Sequence, residues 1–125
     1  MKILESAENY LEAIHVLTKE KGQVRAIDIV HYLGFSKPSV SIAMKQLETN
    51  GYIARDKDGH IMLTDEGMEI AVSVVERHEL LTELFMAVGV SEELAKDDAC
   101  KVEHHISQET FECLKSNIDK IKKSI

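Results

Sequence analysis

The sequence predicts a mainly α-helical protein in which a winged helix-turn-helix is followed by an all-helical domain. Apolar residues recur at three- and four-residue steps over most of the 125-residue chain, which is the period of amphipathic helices. Two short helical patterns are joined by the turn Gly34-Phe35, and a stretch with a period of about two follows them. Two helices, a tight turn and a hairpin in this order are typical of a winged helix-turn-helix.

The first three helices have recognisable starts and ends. They are predicted over residues 4–19, 27–33 and 37–50. Gly22 follows the first helix, where glycine suits the left-handed conformation. Ser36 is a good N-cap for the third helix, and Pro38 stands in its first turn, where a missing N–H does no harm.

The next part of the chain predicts a hairpin and then helices only. The β-prone runs 52–55 and 60–63 flank a turn that ends in Asp58-Gly59, which is a strong hairpin signal. Thr64 is a good N-cap for a long helix that ends at Gly89. Two further helices are predicted. Ser91 caps the first, which runs to about His105 or Ile106, and the second carries Phe111 and Leu114. Cys113 lies beside the apolar stripe of the last helix and is expected to be a small buried hydrophobe.

Charge divides the chain near residue 64. Residues 1–64 carry eight basic and eight acidic side chains, whereas residues 65–125 carry seven and fourteen and hold the whole net charge of −7. We therefore expect two domains with these bounds, and the overall acidity does not exclude nucleic-acid binding by the first, because a groove senses only nearby charge. The two cysteines and the absence of an apolar signal region favour a cytoplasmic protein with reduced thiols.

The second helix of the helix-turn-helix is predicted to enter the major groove of double-stranded DNA. Its N-terminal residues are small, polar or basic, so they allow close approach and can bind phosphates or base edges. Basic residues of the hairpin are placed to meet the flanking backbone. The alternative for all of these side chains is an ordinary solvated surface. The predicted DNA-binding residues are Arg25, Ser36, Lys37, Pro38, Ser39, Ser41, Lys45, Arg55 and Lys57.

The acidic half carries a group of side chains with metal-ligand spacing. Cys100, Glu103 and His104 stand at i, i+3 and i+4, so they share one face of the predicted helix and can hold a divalent transition metal. His78 is in phase with the apolar residues of the preceding helix and is expected to point inward. The alternatives are a buried cysteine beside two surface polar residues and a core histidine. His60 has no partner at ligand spacing.

The first helix offers further ligands. Asn9 and Glu12 are three residues apart, and Glu8 and Glu12 are four apart, beside the apolar stripe. Either pair can complete a metal site, and a solvated charged face explains the same pattern.

Five segments together resemble the diphtheria-toxin-repressor family of metal-dependent transcriptional repressors, which includes the iron regulators and the manganese transport regulator. They occur in the family's order and spacing over essentially the whole chain. The segments are Glu8-Asn9-Tyr10-Leu11-Glu12-Ala13-Ile14, Ser36-Lys37-Pro38-Ser39-Val40-Ser41, Leu63-Thr64-Asp65-Glu66-Gly67, Arg77-His78-Glu79-Leu80-Leu81 and Cys100-Lys101-Val102-Glu103-His104-His105.

The resemblance implies one principal metal site in a compact, homodimeric regulator without the extra C-terminal domain of the larger members. Cys100 is the residue of the iron-type members, whereas Glu12 is manganese-like, and a thiolate shifts preference toward Fe²⁺. Thr82 and Lys96 replace two ligands of the family's ancillary site. The implied ligands are Asn9, Glu12, His78, Cys100, Glu103 and His104.

The function implied is a metal-activated repressor of metal-uptake genes that binds a palindromic operator. Fe²⁺ is favoured and Mn²⁺ comes next, while Co²⁺, Ni²⁺ or Zn²⁺ substitute in vitro. A metal bound by both halves would fix the spacing of the two recognition helices in the dimer. Two alternatives are a metal-independent winged-helix regulator and a small metalloenzyme. The sequence has no His-Glu-x-x-His motif, so we do not expect an enzyme.

Overall fold

The protein is helical apart from one small sheet, as the sequence predicts. A computed structural model describes residues 5–125, so Leu4, the first residue of the first predicted helix, lies outside the described residues. The elements are α1 Glu5–Lys21, α2 Ala26–Leu33, α3 Lys37–Thr49, β1 Ile53–Arg55, β2 Ile61–Leu63, α4 Asp65–Ala87, α5 Glu92–Val102 and α6 Gln108–Lys123. The clearest difference from the prediction is that α5 ends at Val102, three or four residues early.

The chain divides into two compact units, Met1–Ser73 and Val74–Ile125. The core of the first unit is formed by the apolar faces of α1, α2 and α3 together with one residue from each strand, Val24 of the α1–α2 connection and Ala71 of α4. Phe35, in the turn between α2 and α3, packs edge-on against Tyr10 with ring centroids 5.7 Å apart. The central buried residues are Leu11, Ile14, Val24, Ile29, Val40, Met44, Ile53 and Ile61.

The turn and cap residues act where the sequence places them. Gly34 ends α2 in the left-handed conformation with φ 72°, and its N–H donates to the carbonyl of Val30. The Ser36 hydroxyl accepts from the Ser39 N–H at the start of α3. The antiparallel strands pair Ile53 with Leu63.

The start of α4 is anchored against the hairpin. The Thr64 hydroxyl donates to the Gly51 carbonyl at 2.7 Å and accepts from the Gly67 N–H at 3.2 Å. A Cβ added at Gly67 would lie 2.0 Å from the carbonyl oxygen of Tyr52, so only glycine fits without a shift of the backbone.

In the second unit, Arg77 of α4 ties the end of α5 to the start of α6. Its Nη1 donates to the carbonyls of Glu103 at 3.2 Å and Ile106 at 3.0 Å, and its Nη2 donates to Gln108 Oε1 at 2.7 Å. The guanidinium carbon lies 5.6 Å from the centroid of the buried Phe111 ring. One side chain therefore organises the turn that follows α5.

Cys113 was predicted to be buried but is exposed on α6. Among the residues of the apolar stripe of this helix, only Phe111 is fully buried. Within residues 5–125, none of the helices combines the length and apolar character needed to cross a membrane.

Candidate metal centre and DNA-binding surface

The most deeply buried carboxylate in the second unit belongs to Glu103. Its side chain is 0% exposed, and Oε2 lies 2.8 Å from His78 Nδ1. The other oxygen, Oε1, lies 3.4 Å from Nε2 of His104, whose side chain is 1% exposed. Three of the predicted ligands are thus brought together by α4 and by the residues that follow α5.

Local backbone geometry places this carboxylate. Glu103 is the C-cap of α5 and keeps right-handed helical dihedral angles, and its N–H donates to the Ala99 carbonyl at 2.9 Å. The Arg77 guanidinium donates a hydrogen bond to the backbone carbonyl oxygen of Glu103. Glu103 and His104 therefore follow directly after the last residue of α5, and Glu103 continues the helical backbone that carries Cys100.

The remaining predicted ligands have different surroundings. Cys100 lies in the last turn of α5 and is exposed, so the alternative of a buried cysteine is wrong. His78 is half-buried, with 31% of its side chain exposed, rather than fully inward. Asn9 and Glu12 lie on α1 in the first unit, and both are half-buried beside the core residues of that helix.

The residues of the second unit fit a divalent transition metal. A carboxylate removed from water needs a compensating positive charge, and here each carboxylate oxygen lies beside an imidazole. An ionised Glu103 accepts the Nδ1–H of His78, which leaves Nε2 of His78 as a lone-pair donor. Carboxylate, imidazole and thiol groups are the ligands that Fe²⁺, Zn²⁺ and related ions take.

Thr82 and Lys96, the residues at the ancillary positions, are not metal ligands of the usual kind. The Thr82 hydroxyl is buried without a hydrogen-bond partner among the described residues. The Lys96 ammonium pairs with Glu92, one turn earlier in α5, at 3.0 Å.

The hairpin turn holds a second group of ligand-type side chains, which the sequence analysis missed. Asp56, Asp58 and His60 have ligand atoms within 4.8 Å of one another. The backbone N–H and the imidazole of His60 bond to Asp56 and hold the pKa of Asp56 below its usual range. His60 therefore has a partner after all, and the signal was the Asp-x-x-x-His spacing across a tight turn. Asp56 forms these hydrogen bonds within the hairpin turn. The structure of the turn therefore explains why the three side chains lie close together.

The start of α3 exposes most of the predicted DNA-binding residues. The hydroxyl of Ser36 donates to that of Ser39 at 2.8 Å, so these two serines bond to each other. Ile42 was not predicted, yet it is 60% exposed in the middle of α3. The signal was present, because the buried residues of this helix place position 42 on the opposite side. The predicted residues that are exposed here are Ser36, Lys37, Pro38, Ser39, Ser41 and Lys45.

The predicted contacts outside α3 differ in their availability. Lys57 is exposed in the hairpin turn, and Arg25 is exposed just before α2, with Nη2 3.4 Å from Nε2 of His60. Arg55 lies at the end of β1 and is half-buried, and its Nη2 donates to Glu48 Oε1 at 3.0 Å. Arg55 is thus already engaged by a residue of α3, whereas the other two cations face solvent.

Comparison with known proteins places both halves of the chain in one family. Residues 2–61 match the iron dependent repressor N-terminal DNA binding domain, and residues 64–124 match the iron dependent repressor metal binding and dimerisation domain. The transcriptional regulator MntR of Escherichia coli is 36% identical over 111 residues, which are 89% of this chain and 72% of that protein. The HTH-type transcriptional regulator MntR of Bacillus pumilus is 37% identical over 102 residues, covering 82% of this chain and 71% of the relative.

Solved structures agree with the fold. ScaR with bound Zn²⁺ matches with a TM-score of 0.77 at 26% identity, and the manganese regulator SloR matches with 0.79 at 24%. Each match covers 90% of this chain but 53% of the solved one, so the chain spans about half the length of these two structures. The named relatives are transcriptional regulators, in agreement with the expectation that the chain is not an enzyme. The chain belongs to the iron-dependent repressor family of metal-dependent transcriptional regulators.

Proposed function

We propose that this protein is a homodimeric repressor that binds a palindromic operator when Fe²⁺ or Mn²⁺ is bound and thereby controls metal-uptake genes. The observation that carries the proposal is the buried carboxylate of Glu103 between the imidazoles of His78 and His104. A chain with a winged helix in one half and a metal-type donor set in the other has the parts of a metal-controlled DNA switch.

The ligand set rests on two kinds of support. Contacts in the second unit support His78, Glu103 and His104. The resemblance to the family supports Asn9, Glu12 and Cys100, which have the residue types and spacing of ligands. A bound divalent cation supplies positive charge that a buried carboxylate requires. The chain's own residues then hold that charge next to α5 and the turn that Arg77 organises.

The choice of metal depends most on Cys100. Thiolate is a soft ligand that favours Fe²⁺ over Mn²⁺, so we propose Fe²⁺ first. The solved neighbours named for a metal include the manganese regulator SloR, a manganese-dependent transcriptional repressor in complex with manganese, and ScaR with Zn²⁺ or Cd²⁺, which makes Mn²⁺ the competing choice. An exposed Cys100 is accessible to either ion.

The decisive experiment measures DNA binding under anaerobic, reducing conditions with Fe²⁺, Mn²⁺, Zn²⁺ or a chelator. The probe is a duplex enriched from a random-sequence library by the wild-type protein in each metal. We expect binding in Fe²⁺ or Mn²⁺ and loss of binding in chelator. Glu103→Gln keeps the shape of the side chain and removes its charge, so this variant should lose the metal response while it remains folded.

The cysteines provide a matched pair of variants. Cys100→Ala should weaken activation by Fe²⁺ more than activation by Mn²⁺, because only Fe²⁺ gains much from a thiolate. Cys113→Ala removes the other exposed thiol of the described chain and should leave both responses unchanged. Equal operator affinity with metal and with chelator would contradict the proposed function.

A further inference from the structure

Ile42 is a large apolar side chain on the face of α3 that is turned away from the core. Val40, Met44 and Leu47 are buried in the core, and at about 100° per residue Ile42 lies about 200° round the helix from Val40. It is 60% exposed. All of α3 belongs to the described part of the chain, and Ile42 is its one exposed large apolar residue.

The neighbours of Ile42 indicate what can cover it. Pro38 and Lys45 stand four residues before and three residues after it, and these three residues form the outward face of α3. Lys37 adds a second ammonium at the start of the helix. The one acidic residue of α3, Glu48, is turned to Arg55 in an ion pair. An apolar group among cations suits a polyanion that also carries methyl groups, which describes the major groove of DNA.

We propose that Ile42 reads thymine, by packing against the 5-methyl group in the major groove. Isoleucine has no hydrogen-bonding group in its side chain, and the thymine methyl is the apolar group that the major groove presents. A β-branched side chain keeps one preferred χ1 rotamer in a helix, so the backbone of α3 fixes where its methyl groups lie. This inference rests on the proposed function, in which α3 enters the groove.

Deoxyuridine isolates the methyl group, because it differs from thymidine only in lacking it. The probe is a duplex enriched from a random-sequence library by wild-type protein in Mn²⁺ or Fe²⁺, remade with deoxyuridine at each thymidine position in turn. Fluorescence anisotropy then gives the Kd of each duplex. At one position in each half-site we expect deoxyuridine to weaken wild-type binding about fourfold, the value for one methyl group transferred out of water.

Variants assign the effect to the side chain. Ile42→Ala should bind thymidine and deoxyuridine duplexes equally at that position, whereas Ile42→Val keeps the β-branch and should retain most of the preference. Lys45→Ala is the matched control on the same face, and it should weaken binding to both duplexes by the same factor, because an ammonium contacts phosphate. Ile42 is exposed, so these variants should keep the wild-type urea midpoint.

Each outcome decides a different point. The thymine inference is overturned if deoxyuridine has no effect at any position, or if its effect persists in Ile42→Ala. Enrichment of duplexes with and without metal overturns metal control and leaves the thymine test intact. Failure to enrich any duplex overturns both proposals.

Discussion

Replacing Arg77 tests whether one guanidinium fixes the end of α5 and hence the position of Glu103. Its bonds to the two carbonyls contribute about 1 kcal/mol each, and the more exposed bond to Gln108 contributes less. The contact with the Phe111 ring adds about 0.5–1 kcal/mol. Nε is buried without a hydrogen-bond partner in the described chain, which offsets part of this gain. We therefore expect Arg77→Ala to lower the free energy of unfolding by about 2 kcal/mol.

The assay is urea unfolding of the metal-free protein in chelator, followed by circular dichroism at one fixed protein concentration, because dimerisation makes stability concentration-dependent. Arg77→Lys keeps the charge and loses the planar fork, so it should fall between the wild type and Arg77→Ala. Arg77→Met keeps an apolar stem but loses the guanidinium and should recover little, since the guanidinium makes the hydrogen bonds and the ring contact. A loss below about 0.5 kcal/mol for Arg77→Ala, or a fully stable Arg77→Lys, would refute the assignment of the stability to the fork.

Three further predictions concern the first unit. Gly67→Ala places a methyl group 2.0 Å from a hairpin carbonyl and should destabilise by about 1–3 kcal/mol in urea unfolding, whereas a neutral result would contradict the close approach. The hydrogen bond from Lys21 is the main cause that holds the pKa of Asp28 below its usual value. The contribution of Asp28 to the free energy of unfolding is therefore present above about pH 4 and is lost as the pH falls through the folded pKa. Asp28→Asn should therefore lose less stability than the wild type when the pH falls from 6 to 3. Equal losses would show that Asp28 is not a source of the pH dependence of stability. A double-mutant cycle on Arg55 and Glu48 should give a coupling of about 0.2–1 kcal/mol, and a value above this range would show that the pair is not an ordinary surface ion pair.

The features that sequence could predict are those whose causes lie within a few residues. Ser36, Thr64 and Ser91 were predicted as N-caps, and each hydroxyl accepts a backbone N–H three residues later. The hairpin was predicted from Asp58-Gly59, and the chain turns there with Gly59 at φ 84°. In each case the side chain and the backbone group it satisfies are close neighbours in the sequence, so no tertiary information is needed.

The end of α5 was beyond such reasoning because its cause is distant in the chain. The carbonyls of Glu103 and Ile106 are bonded by Arg77, which precedes them by more than twenty residues. Helical spacing continued past Val102 in the sequence, so the pattern alone predicted a longer helix. The prediction that Cys113 is buried was wrong for a related reason. An apolar stripe predicts which side of a helix is less polar, but not how much of that side a neighbouring element covers.

Ile42 and Glu103 show what helical periodicity can predict about a side chain and what it cannot. The period of α3 already places Ile42 opposite the core, so its exposure was predictable, and only the assumption that recognition residues are polar concealed it. For Glu103, the spacing from Cys100 predicted a metal ligand. The burial of its carboxylate could not be predicted in this way, because it depends on His78, 25 residues earlier. Local pattern therefore locates a side chain on an element, and tertiary contacts determine whether that side chain is available to DNA, to a metal or to neither.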